Sequence, residues 1–178
     1  TNNGYIKRLR TDTYRTQNRG GVGVKGMSTN EEDFVEHMMS MGTHDYILFF
    51  TNKGRVYRIK AYEIPEGSRQ SKGLSVVNII PLMPEEKIMT ILPCTVKDDN
   101  ERYLCMVTEK GIIKRTRLSE FKHTRKTGII ALSIDEGDEL IFVRHTTGEE
   151  SLILATRDGL AVRFDENNVR SMGRAARG

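Results

Sequence analysis

Apolar residues in this chain fall into short runs arranged in pairs around a glycine. One pattern recurs four times: Thr, two turn residues, Gly, two mostly apolar residues, any residue, Arg. It reads Thr1 to Arg8, Thr51 to Arg58, Thr108 to Arg115 and Thr156 to Arg163. Its glycines, Gly4, Gly54, Gly111 and Gly159, recur at a spacing of about 50 residues, a near-constant period that marks a repeat architecture such as a propeller or an array.

An apolar run enters three of the turns: Ile47 to Phe50, Leu104 to Val107 and Leu152 to Ala155. A second run leaves each turn and ends in the Arg. Two such runs around a Gly-bearing turn predict a β-hairpin, because Gly supplies positive φ without a steric cost. A second glycine follows each Arg: Gly21 at +13 from Arg8, Gly73 at +15 from Arg58, Gly128 at +13 from Arg115 and Gly178 at +15 from Arg163. Gly21, Gly73 and Gly128 are read as equivalent. Gly73 opens the run Leu74 to Ile79 and Gly128 the run Ile129 to Ile134, both read as strands from their alternation and β-branched content. A fourth run completes each repeat: Phe34 to Met41, Lys87 to Leu92 and Glu139 to Val143. Thr29 and Asn30 before Glu31, Glu32 and Asp33 also resemble a helix start. The repeat register outweighs that signal and predicts a strand at Phe34 to Met41.

Four strands in about 50 residues is the size of one propeller-type blade. The expectation is an all-β, propeller-like domain over 1–178, in units of roughly 1–45, 46–101, 102–150 and 151–178. The first unit lacks its start and the last its end. No apolar run approaches the roughly 20 residues that a membrane helix needs, so none is expected. Cys94 and Cys105 sit at or beside apolar strands and are read as buried structural thiols, which fits a reducing cytoplasm.

Net charge is only +4, but its arrangement adds to the picture. Residues 1–26 carry +5, 27–45 carry −5, 53–73 carry +4, 85–101 carry −3, 102–126 carry +6, 127–150 carry −5 and 151–178 carry +2. The sign alternates with the repeat, and each basic block covers the second hairpin strand and the loop after it. Equivalent positions of stacked repeats lie side by side. The basic blocks would merge into one stripe, the electrostatic footprint of a phosphate polymer. Solvated, mutually neutralising loops are the alternative.

His37, His44, His123 and His145 show no metal-ligand spacing with one another or with the cysteines. The acids Glu31 to Asp33 read as a solvated turn rather than a cation site. Residues Gln17-Asn18-Arg19-Gly20-Gly21-Val22-Gly23-Val24-Lys25-Gly26 contain G-x-G-x-x-G, but no strand–helix context for a dinucleotide surrounds them. What remains is a small-residue loop flanked by Arg15, Arg19 and Lys25. Its backbone can approach a phosphate closely and present N–H groups to it. It can equally serve as a tight turn into a strand.

This box resembles that of the C-terminal domain of the DNA gyrase A subunit, whose first blade carries Q-R-R-G-G-K-G. Gln17 to Gly23 match five of its seven positions, and both departures, Asn18 and Val22, remove a positive charge. Gly4 to Leu9, Glu32 to Val35, Thr43 to Asp45, Leu48 to Tyr57 and Met172 to Arg174 are similar as well, so the likeness spans the chain. It implies a β-pinwheel, in which neighbouring blades exchange strands and duplex DNA bends around the outer rim. The wrap then lets the parent enzyme introduce negative supercoils. On this resemblance the chain is a non-catalytic DNA-binding module. ATP and Mg, the gyrase B subunit of an A2B2 holoenzyme and the cleavage tyrosine all belong elsewhere in a cytoplasmic, nucleoid-associated enzyme. The family domain has more blades than these repeats supply, so this chain is expected to be a piece truncated at both ends.

The box and the basic blocks together assign DNA contact to Gln17, Arg19, Gly20, Gly21, Gly23 and Lys25. Lys7, Arg8, Arg15, Arg58, Lys60, Arg69, Lys72, Lys114, Arg115, Arg117, Lys122, Arg125, Lys126, Arg163, Arg174 and Arg177 join them. No acid, base or metal set converges on a catalytic site, and no base-reading helix is evident. Phosphate contacts should therefore dominate, with little sequence preference. Two other readings remain: a propeller-like scaffold binding an acidic protein, and the equivalent domain of topoisomerase IV, which carries a degraded box.

Overall fold

A computed structural model describes residues 1–14, 16–95 and 102–178. It holds eleven strands and five short 3-10 turns: β1 (Tyr5–Ile6), β2 (Tyr46–Thr51), β3 (Arg55–Lys60), β4 (Leu74–Ser75), β5 (Ile88–Cys94), β6 (Tyr103–Thr108), β7 (Ile113–Arg117), β8 (Ile129–Ile130), β9 (Leu140–Thr146), β10 (Ser151–Ala155) and β11 (Ala161–Asp165). Every pairing between them is antiparallel. No α-helix occurs among the described residues.

The T-x-x-G motifs make the hairpins β2–β3, β6–β7 and β10–β11. At these three turns Gly54, Gly111 and Gly159 take positive φ, as does Gly4 in the first copy of the motif, all between 70° and 85°. The third long strand of a repeat pairs with the first strand of its own hairpin: β5 with β2, and β9 with β6.

The second-glycine strand goes to a neighbour. β8, from the third repeat, pairs with β3 and completes the sheet β5-β2-β3-β8 of the second. β4, from the second repeat, pairs with β1 of the first. Strand exchange ties the second repeat to the first and the third to the second, as in a pinwheel, and an isolated bridge between Arg115 and Ser171 links the fourth to the third. At the crossings the strands come so close that only glycine fits. A Cβ on Gly73 (φ +85°) would lie 2.5 Å from the Ile6 carbonyl oxygen, and one on Gly128 (φ +74°) would lie 2.6 Å from the Tyr57 ring.

Two cores follow from this layering. Ile47, Phe49, Tyr57, Ile59 and Ile80 pack on one face of the β2–β3 hairpin. Leu48, Phe50 and Val56 pack on the other, against Leu104, Met106, Phe121 and Leu132 of the third repeat. Adjacent residues of β2 serve opposite faces because side chains alternate along a strand. That is why β2 is an unbroken apolar run. Cys94 and Cys105 are buried free thiols, and burial pushes the Cys105 thiol up.

Several expectations are corrected. Phe34 to Met41 form no strand. Their counterparts β5 and β9 pair with the first strand of their own hairpin. The helix signal at residues 29–33, already outweighed by the repeat register, corresponds to a turn at 30–33. Leu74 to Ile79 is strand only over Leu74–Ser75, and Ile129 to Ile134 only over Ile129–Ile130; a 3-10 turn follows the first of them.

The acid turn recurs as well. The turns at 30–33, 83–86 and 135–138 each close with a backbone hydrogen bond, and Glu32, Glu85 and Gly137 all take positive φ. The last acid of each is buried and anchors the T-x-x-G hairpin. Asp33 accepts from the Asn3 amide, Glu86 from the Thr51 hydroxyl and Asp138 from the Lys110 amide. Burial pushes the carboxyls of Asp33 and Asp138 up, but their donors outweigh it and hold both below the usual carboxylate range. Of the acids at 31–33, only Glu31 and Glu32 are exposed, so a wholly solvated turn is ruled out.

Candidate nucleic-acid interface

Each second glycine follows or closes a tight turn whose first corner is a cation. The Ser71 amide donates to the Ser68 carbonyl, with Arg69 at the corner; the Ala176 amide donates to the Gly173 carbonyl, with Arg174 there. In the third repeat the Gly128 amide donates to the Arg125 carbonyl, and Lys126 is the corner. In the glycine box the Gly21 amide donates to the Asn18 carbonyl, so Arg19 is the corner.

This register corrects the equivalence of Gly21 with Gly73. Gly21 matches Ser71 and Ala176, the fourth turn residue. Gly23 matches Gly73 and Gly178, and shares their +15 offset from the motif Arg. Only the third loop is shorter, by two positions.

The box turn also differs in kind. Gly20 takes φ +80°, whereas Gln70 and Ala175 at its place do not take positive φ. Positive φ at the third turn position with an ordinary second residue is a type II turn, in which the central peptide is flipped relative to type I. The Arg19–Gly20 peptide therefore presents its N–H to the opposite side. Gln17, Arg19, Gly20, Gly21, Gly23 and Lys25 are all exposed.

The remaining cations sort into three groups. Arg117 and Arg125 are exposed, and the corner residues Arg69 and Arg174 are half-buried. Arg19, Lys25, Arg69, Arg125 and Arg174 make no side-chain hydrogen bond or ion pair among the described residues. Others are half-buried against aromatic rings: Lys60 and Arg58 lie over Tyr46, Lys72 over Tyr5, with Arg117 over Tyr103 on the surface. Lys126 and Arg177 are exposed yet bonded to Glu63 and Asp135. Surface pairs of that kind are worth at most about 1 kcal/mol and are readily exchanged. Arg163 is exposed and donates to Ser151 across its hairpin. Lys122 is half-buried, and Arg15 lies outside the described residues.

The third group corrects the assignment of Lys114 and Arg115 to the surface. Lys114 is fully buried and Arg115 nearly so. The Lys114 ammonium donates to the carbonyls of Ala131 at 2.7 Å, Ala176 at 3.0 Å and Arg174. Burial, with the Arg174 charge nearby, brings its pKa down to about 8. Lys7, at the same motif position, donates to the carbonyls of Ser68, Arg69 and Ser71 at 2.8–2.9 Å.

The motif arginine likewise reaches into the next repeat. Arg8 donates to the Ile64 carbonyl and pairs with Glu66 at 3.3 Å. Arg58 donates to the Lys122 carbonyl. Arg115 donates to Asn167 at 2.9 Å and pairs with Glu166 at 3.4 Å. These cations join repeats. Arg55, which the charge pattern does not single out, does the same: it donates to the Thr127 carbonyl at 2.8 Å. Its place beside the T-x-x-G glycine is the available signal.

Among the described residues no cluster of His, Cys, Asp or Glu could hold a metal ion, and no helix is long and apolar enough to cross a membrane.

Antiparallel repeats that exchange strands, one of them completed to a four-stranded sheet, with a cationic turn on each, define a β-propeller of the pinwheel type. The family model "DNA gyrase C-terminal domain, beta-propeller" matches residues 1–40, 45–95, 102–147 and 150–178. The chain belongs to that family. It is 50% identical over 179 residues to the DNA gyrase A subunit of Clostridium acetobutylicum and 49% identical over 178 residues to that of Staphylococcus aureus. All of this chain is covered, but only 21% and 20% of those proteins, so it spans about a fifth of their length. Two solved structures share the fold. One is the C-terminal domain of DNA topoisomerase IV (TM-score 0.83, 29% identity, 99% of this chain and 53% of that one). The other is the DNA gyrase A C-terminal domain (TM-score 0.71, 29% identity, 99% and 56%).

Proposed function

We propose that this chain binds duplex DNA without sequence preference and bends it around the rim formed by the cationic turns. In the whole gyrase this wrapping gives ATP-dependent introduction of negative supercoils. One observation carries the reading: all four repeats place a cation at the first corner of the same turn, Arg19, Arg69, Lys126 and Arg174. Among the described residues three of the four are free of any acid, and the fourth is held only by an exposed pair. Bending a duplex costs about 1–6 kcal/mol per 20–30 base pairs, and regularly spaced phosphate contacts along a curved rim can offset it.

The exposed N–H groups of the box suit phosphate oxygens. The box favours gyrase over topoisomerase IV, and the curated relatives at about 50% identity carry the gyrase name. Catalysis, ATP and Mg belong to other parts of the holoenzyme, in which the gyrase B subunit is the protein partner. The repeat units are proposed as 1–45, 46–101, 102–150 and 151–178, and the site of action as the nucleoid in the cytoplasm.

The test is duplex affinity against salt. Log affinity should fall linearly with log salt at about −0.9 per phosphate neutralised, and unrelated duplexes should bind alike. A flat salt response, or strong dependence on base sequence, would remove the proposal.

A further inference from the structure

At each of the three repeat junctions a cation from one repeat holds backbone carbonyls of the turn in the next. Lys7 holds Ser68, Arg69 and Ser71; Arg55 holds Thr127; Lys114 holds Arg174 and Ala176. In the first and third cases two carbonyls match residue for residue, and the third differs: Ser68 for Lys7, Ala131 for Lys114. Arg69 and Arg174 are the corner residues, and Ser71 and Ala176 close the turn. An ammonium has three N–H donors, and both lysines place all three on carbonyls. In the second repeat Tyr57 occupies the lysine place and bonds Glu86, so Arg55, two residues earlier, supplies the cation. A function kept at three junctions, twice by a lysine at one motif position and once by an arginine two positions earlier, belongs to the turn rather than to any one residue.

We propose that Lys7, Arg55 and Lys114 are positioning residues for DNA contact. They fix the corner cation of the following repeat, Arg69, Lys126 or Arg174, in the geometry that meets a phosphate, and they do not touch DNA themselves. Lys114 cannot touch it, being fully buried. The carbonyl oxygens of a bare turn would carry partial negative charge toward the rim. An ammonium beneath them neutralises that charge, removes the alternative orientation of the peptides and leaves the guanidinium above free. The turn at the third junction, residues 173–176, is also held by Ser133, whose amide and hydroxyl donate to the carbonyls of Ala176 and Ala175. This inference rests on the DNA-binding reading.

A double-mutant cycle on the whole chain tests it. Lys114→Met keeps the volume and removes the donors; Arg174→Ala removes the corner. Each alone should weaken duplex binding about fivefold and flatten the salt slope by about 0.9. In the Arg174→Ala background, Lys114→Met should cost less than about twofold, because residues acting through one contact are not additive. Fully additive losses, or unchanged binding by Lys114→Met, would overturn the proposal. Amide exchange at Ala176 gives a readout that needs no DNA: it should rise in Lys114→Met and stay unchanged in Arg174→Ala. Protection retained in Lys114→Met would sink the positioning role, whereas absence of salt-dependent binding by the parent chain would sink the DNA reading alone. Should Lys114→Met not fold, the same cycle with Lys7→Met and Arg69→Ala, at the half-exposed junction, decides between the same outcomes.

Discussion

The guanidinium of Arg115 meets the carboxylate of Glu166 at 3.4 Å across the boundary between the third and fourth repeats, with both side chains almost wholly out of solvent. Glu166 is otherwise surrounded by donors: the Thr146 hydroxyl at 2.6 Å and the amides of Gly148 and Glu150 at 2.7 and 2.9 Å. A buried ion pair with every lone pair met is tolerated, but removing one partner leaves an uncompensated charge.

Arg115→Ala should therefore destabilise the chain by about 3 kcal/mol, the usual cost of breaking a buried pair. Arg163→Ala removes the same motif residue of the fourth repeat, where the guanidinium is exposed and makes one hydrogen bond to Ser151. Its cost should stay within about 0.5 kcal/mol. Denaturant titration of the two variants checks the contrast. Equal losses would show that the motif Arg acts within its own hairpin and not across repeats.

The same pair sets an acid limit. Burial raises the Glu166 pKa, but its hydrogen-bond donors outweigh this and bring it from 4.5 to about 2. The folded value lies below the unfolded one, so the proton binds the unfolded chain more tightly. The stabilisation is complete above about pH 4.5 and is lost as pH falls toward 2. Glu166→Gln should lower the melting temperature at pH 7 and show a smaller further drop between pH 4.5 and 2 than the parent. Parallel pH profiles would rule out Glu166 as the titrating group.

Much of the architecture is written locally. A T-x-x-G turn between two apolar runs specifies a hairpin within one motif, and the hairpins lie where their turns put them. The exchange of β4 and β8 depends on partners in another repeat, far along the chain, so no local pattern announces it and only the family resemblance implies it. Phe34 to Met41 carry strand-like residues, yet a strand forms only where a partner offers its backbone.

Lys114 and Arg115 depart from the charge pattern for a related reason. Charge in the sequence says nothing about which side of the sheet a residue faces. Their recurrence at one motif position, in Lys7 and in Arg8 and Arg58, is a sign of a duty shared by all repeats, namely stacking. The spacing of Gly21 is coincidental: Gly23 keeps the offset of Gly73 and Gly178, and only the turn hydrogen bonds reveal it.

Two glycines with like backbone separate strain from crowding. Gly128 (φ +74°) has the Tyr57 ring within 2.6 Å of a would-be Cβ, whereas Gly159 (φ +83°) has nothing within 4 Å. Gly159→Ala should cost about 1–2 kcal/mol, the penalty of the left-handed conformation alone. Gly128→Ala should cost at least about 2 kcal/mol more, because Tyr57 is buried and anchored to Glu86. Melting of both variants measures the difference, and equal costs would mean the strand crossing has room to shift.

The glycine box offers the sharpest separation of binding from folding. Arg19 has no partner among the described residues, and a Cβ on Gly20 would meet nothing within 4 Å. Arg19→Ala should therefore leave the melting temperature within about 1 °C and yet weaken duplex binding and reduce the salt slope by about 0.9. Gly20→Ala acts through the backbone: alanine resists positive φ, so the turn either carries about 1 kcal/mol of strain or reverts to type I, flipping the Arg19–Gly20 peptide. On the proposed reading, in which wrapping fixes the sign of the captured crossover and cleavage and strand passage occur in other parts of the enzyme, both changes placed in the whole gyrase should impair supercoiling more than relaxation or decatenation. Supercoiling assays beside decatenation assays decide it. Undiminished supercoiling in Arg19→Ala/Gly20→Ala would show that this box, already lacking positive charge at Asn18 and Val22, has passed its role to the turns at Arg69, Lys126 and Arg174.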